Sequence, residues 1–422
     1  MSSAYLGSMK KLKFLFFPTI LALTLGLMLS CSAKDENSSS SGTSSNSSNT
    51  VSGYVQKGPF IQGTVITVWE LDSSLVQTGR TFIGTIDDNT GTFNARGNVV
   101  SPYVELSAVG YYFNEVSGSL STAPLTLQAL SDLTDNSSVN VNLMTHLEKK
   151  RVEYLIDAGS TFAAAKTQAQ TEIMKIFNIE NVSLGSSETL NISKSGDGNA
   201  VLLAISAILQ SEKTVPELTE MLSTINSDIR TDGTLDSTTT KATLVTAMEY
   251  LKTLHIANVT IRDNIEDRYS NLGVSATIPA YESYVYKLDT IAPTVVSITP
   301  SDSANISSSS YNFSVTFSER MDNTTLTINT GLDCSGGQNG TSGGGMCRGT
   351  CSASFEYSSD DFVSCVQMTD MTLAVSNSGK TFTMNSSMHS TSTAYKFRVT
   401  SGAKDFGGGN SVSTHTVSYT TQ

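Results

Sequence analysis

The sequence predicts a multidomain α+β protein with an N-terminal small β-sandwich, a central all-α helical bundle and a C-terminal β-sandwich. Short stretches with period-two alternation, separated by Gly, Asp and Asn turns, occupy both ends of the chain. The middle of the chain instead carries apolar residues at helical spacing. Charged residues make up only 15% of the chain, while Ser, Thr, Asn and Gly are plentiful, a balance typical of exported β-rich modules.

The N-terminus has the layout of an export signal. Lys10, Lys11 and Lys13 precede an apolar run from Phe14 to Ser30, and this run is marginal for spanning ~30 Å of hydrocarbon. We therefore predict that residues 1–30 are a signal peptide.

The signal ends at "LMLSC", which resembles the lipobox of bacterial lipoproteins, although Met28 and Leu29 are bulkier than the usual residues. The resemblance implies that Cys31 is the lipidated first residue of the mature chain. The protein would then bind a membrane through this N-terminal lipid anchor. Each buried CH₂ of the acyl chains would contribute ~0.8 kcal/mol to anchoring. The alternatives are a buried or disulfide-bonded cysteine in a secreted protein, or an uncleaved anchor helix.

Residues 31–50 are predicted to be a disordered tether, because a Ser/Asn-rich segment buries too little apolar surface to fold. A coil of this composition reaches ~20 to 25 Å from its anchor.

Residues 51–125 are predicted to form the first β-sandwich. The stretch "GYVQKGPFIQGTVITVWELD", followed by "TIDDNTGTFN", resembles the carboxypeptidase-regulatory-like, prealbumin-type domains of exported bacterial proteins.

Residues 126–285 are predicted to be helical. Ser160 is placed to cap one helix, Thr214 and Glu217 form a capping box at the start of another, and Gly273 ends the last. "AVLLAISAIL" is apolar on nearly every side, so we expect it to be the central buried helix. The segment "VNVNLMTHLEKKRVEYLIDAG" resembles parts of uncharacterised envelope lipoproteins, which implies architecture and no activity.

Residues 290–422 are predicted to be the second β-sandwich. "YNFSVTFSERMD", "SNSGKTFTM" and "STAYKFRVTSGAKDFGGGN" resemble bacterial Ig-like domains of the S-layer (SbsA-like) group, and the Gly-rich "CSGGQNGTSGGGMCRGTC" departs from that pattern as an inserted loop.

Four cysteines lie around this insert and allow three pairings. We favour Cys351 with Cys365, because the segment between them is typical of a β-hairpin, which leaves Cys334 with Cys347. The other pairings stay open. Closing a loop of about 15 residues contributes on the order of 3 kcal/mol.

The sequence predicts no catalytic, cofactor-binding or metal-binding set. No two of the four histidines share a spacing suited to zinc, and Ser342 of "GTSGG" lacks the strand and helix that flank a nucleophile. His146 and Glu148 are expected at a solvated helix start. Asp87 and Asp289 fit turn and linker positions, and calcium at either one stays open.

The predicted function is that of a non-enzymatic, lipid-anchored cell-envelope protein at the outer membrane, surface-exposed, with a structural or adhesive role and an extracellular protein or glycan ligand. A net charge of −12 argues against a nucleic-acid partner. One alternative is a small-ligand-binding or enzymatic helical domain with a cavity lined by Asp197, His255 or Glu266. Another is a periplasm-facing assembly factor.

Overall fold

The computed structural model describes residues 50–135, 138–256, 260–307, 311–332, 347–374, 379–386, 389–407 and 409–422, without the side chains of 255–256 and 369–374. The predicted leader, Cys31 and almost all of the predicted tether lie outside these residues. None of the described helices is long and apolar enough to cross a membrane.

The N-terminal strands form one seven-stranded sheet in the order β8-β5-β2-β3-β4-β1-β9, and β6 and β7 form a separate two-stranded sheet. The nine strands are β1 (Thr50–Gln56), β2 (Val65–Leu71), β3 (Gln77–Ile86), β4 (Thr92–Arg96), β5 (Tyr103–Gly110), β6 (Phe113–Asn114), β7 (Ser119–Leu120), β8 (Leu125–Asp132) and β9 (Val141–Asn142). Neighbours are antiparallel except β1 and β9. The expected boundary after residue 125 therefore falls at the start of β8, an integral strand of this sheet.

Seven α-helices follow or cover the sheet. They are α1 (Leu143–Asp157), α2 (Phe162–Ile176), α3 (Asp197–Gln210), α4 (Val215–Asp228), α5 (Thr238–Ile256), α6 (Ile261–Asn271) and α7 (Glu282–Val285). The capping box of Thr214 and Glu217 is confirmed at α4. Gly273 follows α6 with a φ of +71°, as expected of a helix stop. The cap of α2 is Thr161, one residue after the predicted Ser160.

The sheet and the helices share a large hydrophobic core, and a smaller apolar cluster joins the sheet to α1 and α2. Helix α3 is buried at every position from Ala200 to Gln210, which confirms it as the central helix. Ile66 and Val68 of β2 belong to the same apolar cluster as α3. The expectation of two facing sheets over 51–125 differs from this arrangement, because helices cover the apolar face that a second sheet would cover in a sandwich.

The C-terminal segment is a sandwich of two four-stranded sheets, with orders β10-β12-β17-β16 and β11-β19-β18-β14, beside a small β13-β15 pair. Its strands are β10 (Val295–Thr299), β11 (Ala304–Ile306), β12 (Asn312–Phe317), β13 (Arg348–Gly349), β14 (Phe355–Ser358), β15 (Cys365–Val366), β16 (Met368–Ala374), β17 (Thr381–Ser386), β18 (Ala394–Val399) and β19 (His415–Thr421). Phe313 of β12 and Phe397 of β18 stack across the interior with centroids 4.7 Å apart. This aromatic core is separate from the N-terminal one, and it confirms the predicted second sandwich.

Candidate functional site

A group of four ionisable side chains lies where α5 meets the C-terminal sandwich, and we call it the junction cluster: Lys252, Asp289, Glu319 and Asp405. Lys252 comes from α5, Asp289 ends the short 3-10 turn Tyr286–Leu288, Glu319 follows β12, and Asp405 lies in the turn after β18. Four distant parts of the chain therefore bring these charges together.

Lys252 is the centre of the cluster. Its ammonium contacts a carboxylate oxygen of Asp289 directly, and it lies 3.4 Å from Glu319 and 3.3 Å from Glu249. Asp289 is nearly fully buried, and its second oxygen accepts a hydrogen bond of 2.9 Å from the Ile291 amide. The Lys252 ammonium thus links α5 to Asp289 in the linker and to Glu319, which follows β12 of the sandwich.

Asp405 organises the "KDFGGGN" turn after β18. Its carboxylate accepts hydrogen bonds from the Asn410 backbone at 2.8 Å and from the Asn410 side chain at 2.7 Å. The same Asn410 amide donates to the Asp289 carbonyl at 3.0 Å. The turn therefore also holds the linker at Asp289.

Burial and crowding perturb the acids of the cluster. One oxygen from each of Asp289, Glu319 and Asp405 lies within 4.8 Å of the others. Burial, with the hydrogen bond to Asp289 and its charge, raises the pKa of Glu319 to about 7. Burial opposes ionisation of Asp289 as well, but hydrogen bonds from Lys252 and Ile291 hold its pKa below the usual value. Glu319 is therefore mostly protonated only below about pH 7, where it can donate a hydrogen bond to the Asp289 carboxylate.

Three carboxylate oxygens this close could hold a hard cation such as Ca²⁺, which takes six to eight oxygen ligands. The Lys252 ammonium already supplies a positive charge at the same place. We therefore account for the junction cluster as an ion-pair network. Sequence reasoning singled out Asp289 for calcium but missed Glu319 and Lys252, which no local spacing connects to it.

Aromatic side chains pack together beside the charged groups of the junction cluster. The Arg320 guanidinium lies 3.9 Å from the centre of the Phe406 ring, and Phe406 meets Tyr286 edge to face at 5.3 Å. Gly407 allows this approach, because a Cβ there would lie 2.6 Å from the Tyr286 Cβ.

A cavity of about 430 Å³ opens at this junction, lined by Lys252, Tyr286, Asp289, Glu319, Arg320 and Lys380 among others. Its volume lies within the ~300–1,000 Å³ of small-molecule sites. An acid with a pKa near 7 beside an ionised carboxylate can donate or accept a proton, so the cavity has the elements of general acid–base chemistry.

Two of the three residues named for the alternative of a helical-domain cavity are exposed. Asp197 at the start of α3 and Glu266 on α6 are exposed, and neither lines the junction cavity. The side chain of His255 lies outside the described residues.

The predicted solvated start of α1 is wrong. Glu148 is fully buried, accepts a hydrogen bond from Ser187, and pairs with Lys166 at 2.6 Å; Lys166 also pairs with Glu188 at 3.0 Å. Burial lowers the pKa of His146 to about 4. The first turn of α1 is buried because the edge of the sheet and α2 pack against it, which the helical period alone did not reveal.

The remaining predicted residues are placed as follows. Cys351 and Cys365 are joined by a disulfide, and Cys347 is also disulfide-bonded. Cys334, Cys31 and Ser342 lie outside the described residues. Asp87 is exposed, whereas the neighbouring Asp88 accepts a 2.8 Å hydrogen bond from the Thr90 amide, as in a tight turn.

Two facing antiparallel-rich sheets with an aromatic core are the architecture of an immunoglobulin-like module. Residues 289–421 match the family described as a bacterial Ig-like domain, so the C-terminal segment is a bacterial Ig-like domain. No curated protein matches the chain significantly.

Solved structures similar to this chain come from the S-layer protein SbsC. Domains 1–6 of surface layer protein SbsC match at 15% identity and a TM-score of 0.20, covering 66% of this chain and 32% of that one. The N-terminal part of SbsC matches at 14% identity and a TM-score of 0.20, covering 66% and 78%. The chain thus spans about a third of the length of the first of these structures.

Proposed function

We propose that this protein is a non-enzymatic bacterial cell-envelope protein, anchored through a lipid on Cys31, which presents its C-terminal Ig-like domain at the cell surface in a structural or adhesive role. The match of residues 289–421 to bacterial Ig-like domains carries the proposal, because it is consistent with a surface structural role. The "LMLSC" sequence supports the anchor.

The junction cluster supports display of the Ig-like domain by the preceding domain. The ion pair of Lys252 with Asp289 and the hydrogen bond from Asn410 to Asp289 join the Ig-like domain to the helices. A freely jointed module would not need a buried carboxylate and a close glycine contact at this point. A fixed junction suits a protein that holds its last domain in a defined position.

The disulfide chemistry supports export. Disulfides persist in oxidising compartments and are rare in the cytosol. The Cys351–Cys365 bond and the bonded Cys347 fit an exported domain.

The experiment is proteinase K treatment of intact cells that express the full chain, with membrane fractionation of a Cys31→Ala variant. Ser30→Ala is the matched control, because it keeps a small residue before the cysteine. We expect cleavage on intact cells, release of Cys31→Ala from membranes, and retention of Ser30→Ala.

Two other outcomes would each contradict one part of the proposal. Protection until the envelope is permeabilised would contradict surface display and favour the periplasm-facing assembly factor. Membrane retention of Cys31→Ala would contradict the lipid anchor and favour an uncleaved anchor helix.

A second candidate function is binding or catalysis at the junction cavity, favoured by the raised pKa of Glu319 beside Asp289. Chromogenic ester and glycoside substrates would be incubated with the full protein, with Glu319→Gln and with Glu220→Gln, an exposed control. Turnover lost only in Glu319→Gln would support catalysis. Absence of turnover in the unmodified protein would favour the structural role.

A further inference from the structure

The junction cluster joins the Ig-like domain to the helices with charges that do not balance. One oxygen from each of Asp289, Glu319 and Asp405 lies within 4.8 Å of the others, and the Lys252 ammonium contacts Asp289 and lies 3.4 Å from Glu319. With all four groups ionised, three carboxylates and one ammonium would carry a net charge of −2. Like charges this close oppose ionisation of the last acid, so the cluster favours keeping one proton.

Glu319 is the acid that keeps this proton. Asp289 accepts hydrogen bonds from Lys252 and from a backbone amide, and Asp405 accepts two from Asn410, all of which stabilise the ionised carboxylates. The contact of Glu319 with Lys252 is longer, at 3.4 Å. Burial raises the pKa of Asp405 too, but the bonds from Asn410 oppose that rise, whereas the pKa of Glu319 reaches about 7.

The other charged and titratable groups that line the junction cavity are engaged elsewhere. Glu249 of α5 is exposed, the Arg320 guanidinium lies over the Phe406 ring, and Lys380 donates to a backbone carbonyl at 2.9 Å. Tyr286 stays neutral, because burial raises the pKa of its phenol. The charges that act most directly on the shared proton are therefore those of the junction cluster itself.

Loss of the Glu319 proton turns an attraction between the two domains into a repulsion. Protonated Glu319 donates a hydrogen bond to Asp289, whereas ionised Glu319 faces a second carboxylate. Its side chain is 19% exposed, so the ionised form can turn towards solvent. Phe406 with Tyr286 and Asn410 with Asp289 also touch across the junction. Domains joined by a small, largely polar contact move relative to one another unless something fixes them.

We propose that the junction is a proton-dependent latch. With a proton on Glu319, the Ig-like domain is held in one orientation against α5, and loss of that proton frees the domain to turn about the linker that follows Asp289. The defined position of the Ig-like domain is then a property of the protonated state. The latch belongs to the purified protein, so it depends on neither the lipid anchor nor surface display.

The expected pH dependence follows from the two positions of the Glu319 side chain. Its pKa is about 7 in the latched state and returns towards the ordinary 4.5 when the side chain faces solvent. Stabilisation of the latch is therefore fully present below pH 4.5 and is lost as the pH rises through about 7. The ratio of released to latched molecules should rise about 30-fold between about pH 5.5 and 8.5.

Single-molecule fluorescence energy transfer measures this ratio on the full-length protein. Dyes are attached through azide-bearing amino acids at Lys241 on α5 and Thr416 on β19, two exposed positions, so that the cysteines stay untouched. We expect one dominant distance at the lower pH and a second, broader population at the higher pH. Circular dichroism should be the same at both, because the latch frees a folded domain.

Glu319→Gln and Glu249→Gln form a matched pair of variants. The amide of Glu319→Gln can donate to Asp289 at any pH, so the released population should no longer rise with pH. Glu249→Gln removes an exposed carboxylate that also contacts Lys252, at 3.3 Å, and the rise should remain. An unchanged ratio in the unmodified protein, an equal rise in Glu319→Gln, or loss of secondary structure at the higher pH would overturn the inference.

Discussion

At the scale of single residues, several charged side chains of this protein are buried, and burial shifts their pKa values. Lys57 and Glu115 form an ion pair that is fully shielded from solvent, and Ser206 donates to Glu115 at 2.7 Å. Burial lowers the pKa of Lys57 despite its partner. The pair therefore depends on both members being present.

We expect Glu115→Gln to lower the free energy of unfolding by about 3 to 5 kcal/mol, because it leaves the Lys57 ammonium buried without a counter-charge. Replacing both residues, as Lys57→Met with Glu115→Leu, should cost less than the single change, since no charge is then left unpaired. Urea unfolding measures both. Exposed Glu220→Gln is the control and should change little. A double variant less stable than Glu115→Gln would contradict this account.

Glu319 should make stability depend on pH. Its pKa is raised from 4.5 to about 7 in the folded protein, so the folded state holds the proton more tightly than the unfolded state. Its contribution is fully present below pH 4.5 and is lost as the pH rises through about 7. We expect Glu319→Gln, which cannot ionise, to remove this decline.

The measurement is the melting temperature of both proteins from pH 4.5 to 8. As the pH rises over that range, the melting temperature of Glu319→Gln should increase relative to that of the unmodified protein. A constant difference would mean that Glu319 titrates alike in both states.

At the scale of elements, the turn after β18 owes its conformation to glycine. Gly407 and Gly409 both have positive φ, at +86° and +76°. They differ in surroundings, because a Cβ at Gly407 would lie 2.8 Å from the Ser283 carbonyl oxygen, whereas a Cβ at Gly409 would meet no atom of the described residues within 4 Å.

Gly407→Ala and Gly409→Ala therefore form a matched pair. Gly409→Ala should cost about 1 kcal/mol, the usual penalty of a left-handed non-glycine residue. Gly407→Ala should cost more, because it also forces the turn away from α7. Thermal unfolding measures the cost, and limited proteolysis of residues 289–295 measures loosening of the junction. Equal costs with equal proteolysis would show that the close contact contributes nothing.

At the scale of the whole molecule, the cores define how the chain divides. The sheet and the helices share a large and a small apolar cluster, and the Ig-like domain has a cluster of its own. A domain folds around one hydrophobic core, so the division should follow these clusters.

Three fragments test this division. Residues 50–288 and 289–422 should each fold and unfold cooperatively, whereas residues 51–125 should not fold alone, because they lack β8, β9 and the helices that cover the sheet. Circular dichroism and dispersion in NMR spectra measure folding. A well-folded 51–125 fragment would restore the prediction of an independent β-sandwich.

Local sequence signals determined much of this protein. The capping box at Thr214, the stop at Gly273 and the all-round apolar stretch in α3 predicted their elements, because capping, turn conformation and side-chain periodicity depend on neighbouring residues. The alternating aromatic residues of β12 and the "FSERMD" and "KDFGGGN" motifs likewise predicted the Ig-like sandwich.

Only the tertiary structure decided which charged side chains are buried and which elements share a hydrophobic core. Lys252 and Glu319 are 67 positions apart yet lie 3.4 Å from each other, and no spacing in the sequence connects them. Glu148 is likewise buried because another helix covers it. Burial and proximity depend on long-range packing, so the raised pKa of Glu319 became visible only in the folded chain.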